Sequence, residues 1–237
     1  MKLPLSDRLL ACAGFVAPGD RVADVGCDHG YLGIHLLKNS IASSVIASDI
    51  NEGPLQSALR NAHKFGVQDK MTFYLSDGVR NIPRDFDALV CAGMGGDTMI
   101  HILESAPWLR GGQYRLILQC QSKTPMLRRY LSENDWYINR EVALRDGRFL
   151  YTVMEVIWQP RTPMSPGAWY FSEAMQEHPS TEAPAYYRWV KNGLEIMVKN
   201  RGESADSELA QALAELDSLP NNPNLSWLKE ETYDNRS

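Results

Sequence analysis

Apolar positions along the 237-residue chain follow two rhythms in turn. Near the N-terminus, Leu9, Leu10 and Ala13 recur at helical spacing between Ser6 and Val16. This predicts an amphipathic helix capped by Ser6, with those three residues facing inward. Pro18-Gly19-Asp20 ends it. Short apolar runs then alternate with helical spacing. Strands are predicted at 21–25, 44–48, 71–74, 88–92 and 114–119, and helices at 30–38, 52–65, 97–106 and 123–134. Two longer runs, 136–144 and 149–158, are joined by Arg145-Asp146-Gly147-Arg148, which reads as a β-hairpin. Repeated strand–helix units mean an α/β fold, with a parallel sheet covered by helices on both faces. The hairpin adds an antiparallel strand to it.

From Pro160 to Pro184 the chain carries five prolines and little periodicity, and reads as an ordered crossover or linker. Two amphipathic helices follow. One presents Tyr187, Val190, Leu194 and Met197, and the other Leu209, Leu213 and Leu216. Asn200-Arg201-Gly202-Glu203-Ser204 supplies a glycine stop and a serine start, so the pair is expected to form a helical hairpin. The Asn- and Pro-rich stretch from Pro220 to Ser237 is expected to fray. This divides the chain into an α/β domain, 1–160, and a linker with a helical extension, 161–237. No internal repeat is visible.

Composition changes this picture little. Hydrophobic residues at 44% and charged residues at 22% describe an ordinary globular protein. The N-terminus lacks the apolar core of a secretory signal, and no apolar run approaches the roughly 18 residues of a membrane helix. Cys12, Cys27, Cys91 and Cys120 form no Cys-x-x-Cys pair, and three of them sit in or beside predicted strands. Reduced, buried thiols in a cytoplasmic protein are expected. No metal site is assigned. The net charge of −5 argues at first against a nucleic-acid partner. Its distribution softens that objection. From Arg161 onward there are 7 Lys/Arg and 12 Asp/Glu, and the totals of 24 and 29 leave 17 of each for residues 1–160. The excess acid lies wholly behind a neutral α/β domain.

The densest chemistry sits in Ala23-Asp24-Val25-Gly26-Cys27-Asp28-His29-Gly30-Tyr31, between the first strand and the next helix. An acid leaving a strand, with glycines two and six positions later, is the arrangement by which doubly wound methyltransferases hold S-adenosylmethionine. Glycine there lets the backbone pass close under the ligand. Asp24 is expected to orient the loop by accepting hydrogen bonds from its amides, or else to be a simple turn acid. Asp49, followed by Ile50, ends the second strand, where a carboxylate can accept from both ribose hydroxyls or cap a helix. Asp77-Gly78 follows the third strand, where a carboxylate can take the adenine amino proton, or where the pair merely turns the chain. After the fourth strand comes Ala92-Gly93-Met94-Gly95-Gly96-Asp97, a loop placed at the topological switch where a methyl group would be presented. It lacks the Asn/Asp-Pro-Pro-aromatic sequence usual for exocyclic adenine chemistry. Five units closed by a hairpin also fit the seven-stranded, Rossmann-like class I methyltransferase sheet better than a nucleotide-oxidoreductase domain.

These residues resemble one family, the bacterial tRNA (adenine-22-N1)-methyltransferases of the TrmK group. The similar elements are Leu5-Ser6-x-Arg8-Leu9, Ala23 to Leu32, Asp77-Gly78, Ala92 to Gly96 with Ile102-Leu103, Leu116 to Gln119, and Leu127-Arg128-Arg129-x-Leu131. The resemblance covers about residues 3 to 158. Gly33 and Cys120-Gln121 depart from it, standing where the family commonly has Pro and Pro-Asn. It implies methyl transfer from S-adenosylmethionine to N1 of adenine 22 in the tRNA D-arm. Asp24, Gly26, Cys27, Asp28, His29, Gly30, Asp49, Ile50, Asp77, Gly78 and Gly93 would hold the cofactor, and Asp28, Tyr31 and Met94 would meet the adenine. Arg128, Arg129, Arg145 and Arg148 are candidate phosphate contacts, and Asp146-Gly147 only the hairpin turn. Two alternatives stand beside this reading. One is a class I methyltransferase acting on another RNA or a small molecule; the other is a non-catalytic RNA-binding protein on the same fold. Oligomeric state is open.

Overall fold

A computed structural model describes residues 3–201 and 207–228. Its strands are β1 (Asp20–Val25), β2 (Ala42–Asp49), β3 (Met71–Leu75), β4 (Ala88–Gly95), β5 (Arg115–Ser122), β6 (Trp136–Asp146) and β7 (Phe149–Trp158). They form one sheet in the order β3-β2-β1-β4-β5-β7-β6. The first five are parallel, and β7 pairs antiparallel with both β5 and β6. This is the seven-stranded arrangement expected from the alternation of patterns. The strand order reverses between β1 and β4, which opens a crevice at their C-terminal ends.

Two cores clothe the sheet. Helices α1 (Asp7–Ala13), α2 (Tyr31–Lys38) and α3 (Glu52–Phe65) bury Val22, Val45, Val90 and Ile117 on one face. Helices α4 (Gly96–Glu104) and α5 (Thr124–Glu133) bury Val25, Leu89, Leu116 and Leu118 on the other. α1 is shorter than its pattern suggests. Cys12 and Ala13 turn inward, leaving Leu10 43% exposed, and Ser6 stands at the cap without a side-chain hydrogen bond.

The crossover after β7 is ordered and contains two short helices, α6 (Pro166–Tyr170) and α7 (Glu173–Glu177), before α8 (Ala183–Arg201) and α9 (Ser207–Ser218). A third core joins them to the end of the sheet, with Phe171, Met175, Tyr187, Leu194 and Leu216 buried beside Ala143. α8 and α9 pack together, and Tyr187 Oη donates to the carbonyl of Leu216 at 2.9 Å. Met197 is 41% exposed rather than inward-facing, on the same open face of α8 as Trp189 and Ile196. The tail does not fray at once, because Leu225 and Leu228 are buried in this third core. The predicted glycine stop at Gly202, the serine start at Ser204 and residues 229–237 lie outside the described residues. Among the described residues, no helix is long and apolar enough to cross a membrane, and no cluster of His, Cys, Asp and Glu could hold a metal.

Candidate active site

The crevice between the ends of β1 and β4 holds a cavity of about 290 Å3. Its lining includes Arg8, Asp24, Gly26, Cys27, Asp28, His29, Tyr31 and Gly93. The local sequence explains how the backbone makes room there. Gly26, Gly30 and Gly93 all take positive φ, a region L side chains rarely enter. Asp28 does so too, at φ 50°, a conformation that Asp tolerates better than most residues.

Asp24 lies at the floor. It is 4% exposed, and no group makes a hydrogen bond to its Oδ2. Burial is the main reason its carboxyl is pushed up to about 7. The Gly33 amide at the start of α2 opposes that rise, and the charge of Asp49 adds to it. Asp24 therefore does not orient the glycine loop as expected. That work falls to Asp49, whose Oδ2 accepts from the Asp28 amide at 3.2 Å and whose Oδ1 accepts from the Asn51 amide at 2.9 Å. The carbonyl of Ser48 adds to this, accepting from the amides of Gly26 and Cys27 at 2.8 and 2.9 Å. Each carboxylate oxygen of Asp49 keeps a lone pair for a further donor.

The glycines divide by role. A Cβ on Gly26 would stand 2.4 Å from Met94 Cε, at the far end of a flexible side chain. A Cβ on Gly30 would stand 2.9 Å from Ala58 Cβ in α3, and one on Gly78 2.9 Å from Ile102 Cγ1 in α4. Gly30 and Gly78 serve helix packing, so the clearance a ligand needs is supplied at Gly26. Gly33 also packs, with a Cβ there 2.9 Å from Val45 Cγ1.

The glycine segment expected as a loop after residue 92 is the end of β4, not a free loop. It stays paired with β5 through Met94↔Cys120 and Gly95↔Ser122, with two irregularities in register. Gly93 is held by Gln119, whose Oε1 accepts from the Gly93 amide and from Arg8 Nη1, both at 3.0 Å. Arg8 also pairs with Asp146 at 3.4 Å, so the hairpin-turn acid anchors an arginine at the cavity rim. Sequence reasoning missed Arg8, Gln119 and Asp146 as site residues. Arg8 and Gln119 lie in the similar segments, but only the fold joins residues 111 positions apart.

Around the rim, Asp28 and His29 are exposed and 3.7 Å apart, and His29 meets the Tyr31 ring at a centroid distance of 5.7 Å. Ile50 is 63% exposed beyond the end of β2. Asp77 pairs with Arg80 at 3.0 Å. Gly30, Asp49, Ile50, Asp77, Gly78 and Met94 lie outside the cavity lining; Asp49 ends β2, Ile50 follows it, and Asp77 and Gly78 follow β3. Cys12 and Cys91 are pushed up to about 12, mainly by burial, and burial likewise raises Cys27. These thiols stay protonated and unreactive.

Of the four candidate phosphate contacts only Arg128 is internal; Arg129 is half-buried, and Arg145 and Arg148 are exposed. Arg128 is fully buried, donates to both Glu141 oxygens at 2.8 and 3.2 Å, and donates to the carbonyl of Trp169 at 2.8 Å. Arg129 pairs with Glu133 and Glu208, and Arg145 with Glu182. Arg148 lies over the Phe149 ring. Acids of β6, of α5 and of the C-terminal segment thus pair with Arg128, Arg129 and Arg145, while Arg148 stays at the surface.

Fold and crevice together define a class I methyltransferase architecture, and the comparisons agree. Residues 5–154 match the family described as "Methyltransferase domain", and the chain belongs to that family. Within it, the chain is similar to proteins of the TrmK group. It is 35% identical over 154 residues to the tRNA (adenine(22)-N(1))-methyltransferase of Bacillus subtilis (strain 168), which covers 65% of this chain and 65% of that protein. The matched span is thus just under two thirds of the curated relative's length. The crystal structure of the B. subtilis M1A22 tRNA methyltransferase TrmK superposes with a TM-score of 0.76 at 27% identity, covering 96% of this chain and 98% of that one. Streptococcus pneumoniae Sp1610 in complex with S-adenosyl-L-methionine gives 0.79 at 27% identity, covering 90% and 98%.

Proposed function

We propose that the chain transfers a methyl group from S-adenosylmethionine to N1 of adenine 22 in the D-arm of tRNA. The observation that carries this is the crevice floor: a buried carboxylate oxygen on Asp24 with no partner, beneath a glycine loop held by Asp49. Such an orphan is costly unless a ligand donor completes it. The similarity to the B. subtilis enzyme supports the choice of adenine 22.

The residues fit the cofactor. Asp24 and Asp28 supply acid beside a sulfonium and an α-amino group. Asp49 has lone pairs left for a ribose diol, and Ile50 offers an apolar face for an adenine ring. Bound S-adenosylmethionine supplies an electrophilic methyl group. Adenine N1 keeps its lone pair at neutral pH, so no side chain has to remove a proton first. The chain must extrude the base, align it and exclude water. Asp28 and Tyr31 at the rim hold the adenine, while Gly93, fixed through Gln119, shapes its slot with Met94 next to it in the chain.

Asp28→Ala tests this assignment. Methyl transfer to unmodified tRNA should fall by about a hundredfold, within the range for a positioning group, far more than the accompanying loss of cofactor affinity in a calorimetric titration. Equal loss of both would make Asp28 a cofactor residue only.

A further inference from the structure

A second cavity, of about 260 Å3, opens on the same C-terminal edge of the sheet. It lies between the start of α5 at Lys123–Pro125, the start of β7 at Leu150–Thr152, and α8. It shares no lining residue with the active-site cleft. Gln121 stands between the two: it lines the second cavity, and its Nε2 lies 3.7 Å from where a Cβ on Gly93 would be.

Three features say what would fit there. The walls are aromatic, from Tyr151, Tyr170, Tyr186 and Trp189, and the Trp189 ring is left 57% exposed. Thr152 is only 1% exposed, lines the cavity, and its Oγ1 has no hydrogen-bond partner. The N-terminus of the ten-residue α5 also lines it; Lys123 at the N-cap has no acceptor with which to cap the helix, Pro125 has no N–H and the Leu127 amide bonds the Lys123 carbonyl, which leaves the amides of Thr124 and Met126 to face an anion. A flat ring with a polar edge and an attached phosphate satisfies all three.

We propose that this cavity is a stacking subsite for a nucleotide flanking the methylated adenine in the RNA strand. The proposal rests on the tRNA reading above. Extruding one base removes a stacking partner from its neighbours, and an aromatic platform beside the active site compensates for that loss. The base sits against Trp189 with its edge towards Thr152 and Gln121, and its phosphate lies at the start of α5. The target adenine itself belongs on the other side of Gln121, at the cleft that holds the cofactor.

Two variants test the subsite without touching the active site. Trp189→Ala removes the exposed platform. Gly193→Leu fills the cavity from α8, at a glycine whose Cβ position has nothing within 4 Å. With an unmodified tRNA transcript as substrate, each should raise KM for tRNA about tenfold, the size of one lost stacking contact, with kcat and S-adenosylmethionine affinity unchanged. Unchanged KM in both variants overturns the subsite, as does a fall in kcat alone. If the wild-type chain binds the transcript but transfers no methyl, the catalytic reading fails while the subsite is still judged by direct binding: about tenfold weaker in both variants sustains it, equal binding overturns it. A wild-type chain that binds no tRNA sinks both. A dimer seen by sedimentation that Trp189→Ala abolishes, with tRNA KM unmoved, makes this face a contact between copies instead.

Discussion

Asp24 is a carboxyl kept where its charge is expensive. Its carboxyl is pushed up to about 7 from an ordinary value near 3.8, so the folded state binds its proton more tightly than the unfolded chain does. The contribution to stability is therefore fully present below about pH 4 and is lost as pH rises towards 7. Asp24→Asn should flatten that decline between pH 4 and 7 in thermal melts while abolishing tight cofactor binding; an unchanged pH profile would contradict the assignment. A bound cation restores the ionised form, so S-adenosylmethionine should bind more tightly at pH 8 than at pH 6. The glycines make a paired prediction. Gly30→Ala drives a Cβ against Ala58 in a packed helix and should cost about 2–4 kcal/mol of stability. Gly26→Ala meets only the end of Met94 and should weaken cofactor affinity more than it lowers the melting temperature. The sequence pattern located this loop, because an acid and spaced glycines are a local signal. It assigned the loop-holding role to Asp24, when the work falls to Asp49. Which carboxylate reaches the Asp28 amide depends on how β2 lies beside β1 and on a positive φ at Asp28, neither of which is written in spacing.

At the scale of elements, alternation of period two with period 3.6 made the sheet legible almost strand by strand, since each element's burial is imposed by its own neighbours. The helix 52–65 and strand 149–158 fall where their patterns put them. Departures occur where another element decides the outcome. The glycine segment at the end of β4 looks like a loop in isolation but is held as strand by β5 and Gln119. Arg128 looks like a surface cation, yet the fold brings Glu141, Trp169 and Tyr186 to it from three elements. Breaking that buried pair should be severe. Arg128→Ala leaves Glu141 uncompensated and should cost about 3–5 kcal/mol, read as a lower melting temperature with loss of tertiary signal from the C-terminal helices. Replacing Arg128 and Glu141 together with apolar residues should recover much of it. If Arg128 instead contacted phosphate, Arg128→Ala would weaken tRNA binding and leave the melting temperature in place.

For the molecule as a whole, the charge balance of residues 1–160 and the acidic excess of residues 161–237 have a shared explanation. Glu182 and Glu208 pair with Arg145 and Arg129, so the helices are fastened by the cations that the front domain presents to them. The sequence showed the charge asymmetry but not this use of it, because the partners are far apart in the chain. What remains at the C-terminal edge of the sheet is one continuous working face: the Asp24 cleft, the Gly93 segment and the aromatic cavity beyond Gln121. Methyl transfer tests the central claim most directly. The chain would be incubated with labelled S-adenosylmethionine and two unmodified tRNA transcripts, one with adenine and one with guanine at position 22, and the products read by nucleoside mass spectrometry. The account predicts N1-methyladenosine from the first transcript and no label in the second. Equal labelling of both, or none in either with the cofactor bound, would contradict it.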